Sequence, residues 1–108
     1  MTFPIQLAFH QMERSEALEQ AIRERTEKLG KFHPGITNMH VAVTQETRHS
    51  SKGRLFNVKL DVHVKGKSIA ITQQGDEDPF VATRDAFDAA KRLLDDGLDT
   101  SRGFVKQH

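Results

Sequence analysis

From Phe56 to Lys65 apolar and polar residues alternate without a break. Phe56, Val58, Leu60, Val62 and Val64 fall on one side; Asn57, Lys59, Asp61, His63 and Lys65 fall on the other. A period of two over this length describes a strand with one face in a core and the other in water. A slip of one residue would exchange the two faces, so the register of any sheet built on this strand is strongly specified. Gly66-Lys67 follows as a two-residue hairpin signal, with Gly in the first central place of a type II′ turn. Ser68 to Gln73 then reads as the returning strand, with Ile69 and Ile71 facing inwards.

Two further strands precede this hairpin. Residues 3–10 alternate, with Phe3, Ile5, Leu7 and Phe9 against Gln6, Ala8 and His10. Pro4 near the start is tolerable at a first or edge position. Residues 38–47 place Met39, Val41 and Val43 against His40, Ala42 and Thr44, and the polar run His49 to Gly53 is expected to turn the chain into the central strand.

Two helices complete the pattern. Ser15 precedes a stretch with Glu16 in its first turn and Leu18, Ala21, Ile22, Leu29 and Phe32 at helical spacing, which predicts a helix over about residues 15–31. Gly30 and His33-Pro34-Gly35 end it. After the break Gly75 to Pro79, Asp78 is a good N-cap and Pro79 suits the first helical position. Phe80, Thr83, Phe87, Ala90 and Leu94 form the buried stripe of the second helix, and Gly97 is expected to end it.

The order strand, helix, three strands, helix predicts an α+β fold of βαβββα type. Both helices should pack on one face of a four-stranded sheet, leaving the other face wet. The first strand–helix–strand unit should cross over right-handed if its strands pair in parallel, and the last three strands should form an antiparallel meander. Phe56, Val58, Leu60, Val62, Ile69, Ile71, Leu18, Ile22, Leu29, Phe80, Phe87 and Leu94 are the expected core. With 108 residues the chain suits one core. One domain is expected over residues 1–97, with 98–108 as a C-terminal tail that is disordered or mixed.

Chemistry is more sharply bounded by what is missing. The chain has no cysteine, so disulfides, thiolate metal sites and cysteine nucleophiles are excluded. No apolar run is long enough for a membrane helix, and the first residues lack the pattern of a secretory signal. His40 and His63 lie on polar strand faces with no carboxylate placed to complete a site. Asp76, Glu77 and Asp78 are explained by the preference of a helix start for negative charge. No phosphate loop, calcium loop or nucleophile–base pair can be assembled, so no enzyme, catalytic residue, metal, cofactor or small-molecule substrate is expected. The formal charge is only +1, so nucleic-acid binding would need a local patch. Arg25, Lys28 and Lys31 recur every three residues and make a slowly rotating basic ridge, with Arg23 further round. Glu16, Glu24 and Glu27 lie among them, so a solvated face of mixed charge is the competing reading.

At this point the sequence resembles the ribosome hibernation-promoting factors, also called ribosome-associated inhibitors or sigma-54 modulation proteins. The resemblance is carried by Glu16-Ala17-Leu18, Ile22, Lys28-Leu29 and Lys31-Phe32, then by Phe56-Asn57-Val58-Lys59 through Gly66-Lys67. Asp78, Phe80, Ala82 and Asp88 complete it, over roughly residues 3–95. It is closest to the short members, and it implies a double-stranded-RNA-binding-domain-like fold. It also implies a cytoplasmic protein, active in stress and stationary phase, that binds the small ribosomal subunit and its 16S-type RNA. Such a protein blocks the messenger and transfer RNA sites by occupancy. Arg25, Lys28 and Lys31 match basic positions of the family's first helix and Arg92 one of its second; Arg23, Arg84 and Lys91 are further candidate RNA contacts.

The second helix departs from the resemblance. Ala89 stands where a lysine is expected, and Asp95 and Asp96 stand where a basic helix end is expected. Each lost cation weakens phosphate binding and each added carboxylate opposes it. The alternative is a non-ribosomal interaction module of the same fold, binding a protein through its open sheet face or an edge strand.

Overall fold

A computed structural model of the protein describes residues 3–47 and 54–104. The elements are β1 (Ile5–His10), α1 (Glu16–Phe32), β2 (Ile36–Thr47), β3 (Arg54–Val64), β4 (Lys67–Asp76) and α2 (Pro79–Phe104). The expected polar turn after β2, His49 to Gly53, lies outside the described residues.

The alternation in β3 sets the sheet. Val58, Leu60 and Val62 are wholly buried, while Lys59 is exposed and Asp61 and His63 are only partly covered on the opposite face. The strand order is β1-β2-β3-β4. β1 pairs with β2 in parallel, Leu7 opposite Val41. β2, β3 and β4 form the antiparallel meander, with Val41 opposite Leu60 and Leu60 opposite Ile71. Both helices cover the face that carries these residues: Leu18, Ile22 and Leu29 of α1 and Ala82, Ala86, Phe87, Ala90 and Leu94 of α2 join the strands' Met39, Val41, Val43, Val58, Leu60 and Val62 in one core. This is the predicted βαβββα fold.

The helix starts follow from local chemistry. The Ser15 hydroxyl accepts the Leu18 N–H at 3.2 Å, and the Asp78 carboxylate accepts the Phe80 N–H at 2.8 Å. Each satisfies a backbone donor that the first turn leaves without a partner.

Several expectations need correction. Phe32 is 66% exposed and Phe80 45% exposed, so neither belongs to the core, and Phe56 and Ile69 are only half-buried. On α1 the inward stripe runs Leu18, Ile22, Thr26, Leu29 and His33. Thr26 is admitted because its hydroxyl donates to the Ile22 carbonyl at 2.8 Å. His33 takes the inward position expected of Phe32. On α2, Ala82 and Thr83 face inwards in the first turn; Phe80 lies roughly 200° round from Ala82 at about 100° per residue.

The hairpin is one residue out of the expected register. Val64 pairs with Lys67, so Lys65 and Gly66 are the turn. Gly66 has φ 82° while Lys65 is not among the positive-φ residues, which is the requirement of a type II turn and not of type II′.

β4 also runs on to Asp76 and does not break at Gly75. Phe56 pairs with Asp76 and Val58 with Gln73, so Gln74 and Gly75 together oppose Asn57. This bulge places Gly75 at φ 74°, where a glycine is unstrained. The Gly75 N–H, out of the regular ladder, donates to the Asn57 side-chain oxygen at 2.8 Å. Finally, α2 continues through Gly97 to Phe104. A glycine inside a helix costs about 1 kcal/mol relative to alanine, which is a penalty and not a stop, and no proline follows it. The residues from 98 onwards therefore start as helix, and Asp95 and Asp96 lie inside α2 and not at its C-terminus.

Candidate nucleic-acid interface

The seven basic side chains singled out in the sequence divide into two classes. Arg23, Arg84 and Lys91 are held by carboxylates of their own chain. Arg23 lies 2.9 Å from Glu19, which also binds Arg14 at 2.6 Å. The Arg23 and Arg14 guanidiniums hold the Glu19 carboxyl below the ordinary glutamate range. Arg84 pairs with Asp85 at 3.0 Å and Lys91 with Asp95 at 3.1 Å. By contrast, Arg25, Lys28, Lys31 and Arg92 make no ion pair or hydrogen bond with any described side chain. These four are the positions that the family resemblance singles out.

α1 positions three of them. Leu18, Ile22 and Leu29 fasten one side of the helix to the core; Arg25 flanks that stripe, and Lys28 and Lys31 turn progressively away from it at about 100° per residue. Arg25 is half-buried and lines the same groove as Leu29; Lys28 and Lys31 are exposed. Lys31 lies in the last turn, where a cation is favoured by the helix dipole. Arg92 is exposed on α2.

The two helices enclose an open groove of about 110 Å³. Leu29 and Phe87 line it with apolar surface; Arg25 and Lys28 contribute from α1, Asp88 and Lys91 from α2, and Phe32 borders it. The Lys91 ammonium sits 5.4 Å from the centre of the Phe32 ring. Asp95 ties this corner together. It pairs with Lys91, and its Oδ1 accepts a hydrogen bond from His33 Nε2 at 2.9 Å. Its carboxyl is held below the ordinary aspartate range, chiefly by the Lys91 hydrogen bond and also by His33, against the opposing effect of partial burial. The carboxylate that the sequence flagged as misplaced therefore has two local partners. Sequence spacing could have found Lys91, four residues before Asp95; nothing local could have found His33.

The open sheet face is a second polar surface. His40 stands opposite Gln6 and Asp61, and the rings of His40 and His63 meet edge to face with centres 5.7 Å apart. His63 Nδ1 lies 2.9 Å from the Ser68 hydroxyl. Among the described residues no group of three or more metal-ligating side chains is gathered. No helix among them is long and apolar enough to cross a membrane.

The comparisons agree with the fold. A ribosomal subunit interface protein from Coxiella burnetii superposes with a TM-score of 0.72 over 86% of this chain and 94% of its own, at 16% identity. The N-terminal domain of Thermus thermophilus Protein Y gives 0.64 over 87% and 96%, at 15% identity. At such identities the likeness is one of fold. No curated protein matches. The sequence profile described as Sigma 54 modulation protein / S30EA ribosomal protein matches residues 5–99, which spans every element from β1 into α2. The chain therefore belongs to the Sigma 54 modulation protein / S30EA ribosomal protein family.

Proposed function

We propose that this protein is a ribosome-associated translation inhibitor of the hibernation type. It binds the small ribosomal subunit through 16S-type ribosomal RNA in the cytoplasm and occludes the messenger and transfer RNA sites. It works by occupancy, so no reaction and no cofactor enter the mechanism. Family membership supports a ribosomal role, and the Coxiella burnetii relative of the same fold is named for the ribosomal subunit interface. The observation that carries the reading is the sorting of cations: Arg25, Lys28, Lys31 and Arg92 keep no carboxylate among the described residues, so they are available to phosphate without breaking an internal pair.

Each phosphate neutralised releases condensed counterions, so binding through four cations should fall on the order of 10²-fold between 50 and 200 mM salt. Co-sedimentation of the full chain with purified small subunits across that range tests this. Lys28→Glu should weaken binding with an unchanged fold. Salt-independent binding, or parental affinity in Lys28→Glu, would refute the RNA reading. Absence of any co-sedimentation would leave the open sheet face, as a protein-binding surface, the better account.

A further inference from the structure

Phe32 ends α1 with two-thirds of its surface in water, and packing gives it no role, because His33 takes the neighbouring inward place. A lone exposed aromatic is unremarkable by itself. This one borders the groove between the helices, beside two cations that no described carboxylate neutralises, Arg25 and Lys28. Lys91 approaches the ring from α2, 5.4 Å from its centre. An exposed ring next to unpaired cations is the combination by which proteins hold unpaired nucleotides: bases stack on the ring while the backbone follows the positive charge.

We infer that this groove receives one unpaired RNA base, stacked on Phe32, with the adjoining phosphates on Arg25 and Lys28; this rests on the RNA-binding reading above. Asp88 sharpens the assignment. As a carboxylate lining the same groove it opposes a phosphate inside it, but it accepts hydrogen bonds from the amino and imino N–H groups of a base edge. The uncharged part of the nucleotide therefore enters, and the charged part stays at the Arg25 and Lys28 side. The groove's apolar lining by Leu29 and Phe87 suits the plane of a base for the same reason.

The chain has no tryptophan and no tyrosine, so Phe32→Trp introduces a single indole at the groove. The full chain carrying it is titrated with a mixed-sequence single-stranded RNA of about 12 nucleotides, and with purified small subunits. The indole should be quenched as RNA saturates, with affinity at or above the parent's. Phe32→Ala and Phe32→Leu, whose folding is checked by circular dichroism, should each lose on the order of 10-fold in affinity. That loss should be the same factor at low and high salt, because stacking releases no counterions, whereas the effect of Lys28→Glu should shrink as salt rises. If Phe32→Ala and Phe32→Leu bind as the parent does while Lys28→Glu is weakened, the base site is refuted and the RNA reading stands. If Phe32→Leu restores what Phe32→Ala loses, or the indole stays unquenched, the ring makes a generic apolar contact and the base site is likewise refuted. If Lys28→Glu also binds as the parent does, both readings fall together.

Discussion

His33 and Asp95 stand 62 positions apart in the chain, and their side chains meet at 2.9 Å. The imidazole belongs to the residue that caps α1, whose N–H donates to the Leu29 carbonyl. The carboxylate stands on an outward face of α2. The contact thus pins the C-terminal end of one helix to the middle of the other, beside the groove that Arg25, Lys28 and Lys91 line. Asp95 acts here as a joint, and it also screens Lys91.

With the proposed RNA contact, this dual role predicts opposite effects on stability and on small-subunit affinity. Asp95→Asn should lower the thermal midpoint modestly, since His33 loses a charged partner. It should also release Lys91, so affinity for small subunits should rise and its salt dependence should steepen by close to one phosphate contact. Differential scanning calorimetry and salt titrations read the two effects separately. A variant that binds no better would show that Lys91 lies away from RNA.

Acid should weaken the fold through two carboxylates. Glu19 and Asp95 both have carboxyls held below their ordinary values of 4.5 and 3.8. A carboxylate depressed in the folded state adds stability that is complete above its unfolded pKa and is lost as pH falls through the folded one. The loss should therefore begin near pH 4.5 for Glu19 and near 3.8 for Asp95, and finish below those values. Chemical denaturation between about pH 6 and 2 should show a shallower acid decline in Glu19→Gln/Asp95→Asn than in the parent. Equal slopes would mean that these pairs are fully screened by solvent.

Burial separates residues that look alike in sequence. Leu60 is wholly buried on the central strand, and Leu60→Ala should cost on the order of 2–5 kcal/mol. Phe80, although on the apolar spacing of α2, is 45% exposed, and Phe80→Ala should cost clearly less than the 3–5 kcal/mol typical of a core phenylalanine, roughly 1 kcal/mol. Urea unfolding of the two variants measures both. Comparable losses would return Phe80 to the core.

The two classes of cation should differ in function. Neutralising Lys28 or Arg92 to Gln should weaken small-subunit binding more than neutralising Arg23 or Arg84, which are held by Glu19 and Asp85. Parallel co-sedimentation at one salt concentration ranks them. Equal losses across all four would show that internal pairing does not decide which cations meet phosphate.

Much of the fold follows from local pattern. The period-two alternation of Phe56 to Lys65 determined which face of β3 enters the core, because a one-residue slip would bury Lys59 and Asp61. Ser15 and Asp78 determined both helix starts, because a side-chain oxygen at that position satisfies the first turn's N–H groups. The basic ridge of α1 was legible from helical spacing: at about 100° per residue Arg25 falls beside the stripe anchored by Leu18, Ile22 and Leu29, and Lys28 and Lys31 fall successively further out. Tertiary structure alone decided the rest. Whether Phe32 or His33 closes the α1 stripe depends on what α2 offers at that depth, and Asp95 offers a partner for an imidazole that a phenyl ring could not use. Whether Gly75 ends β4 or bends it depends on the Asn57 side chain across the sheet, which receives the displaced N–H. Spacing offers Glu19 to Arg23 and Asp95 to Lys91, but equally Glu24 to Lys28 and Asp88 to Arg92; which of these pairs close is decided by side-chain distances in the folded helices, where the first two form and the last two do not.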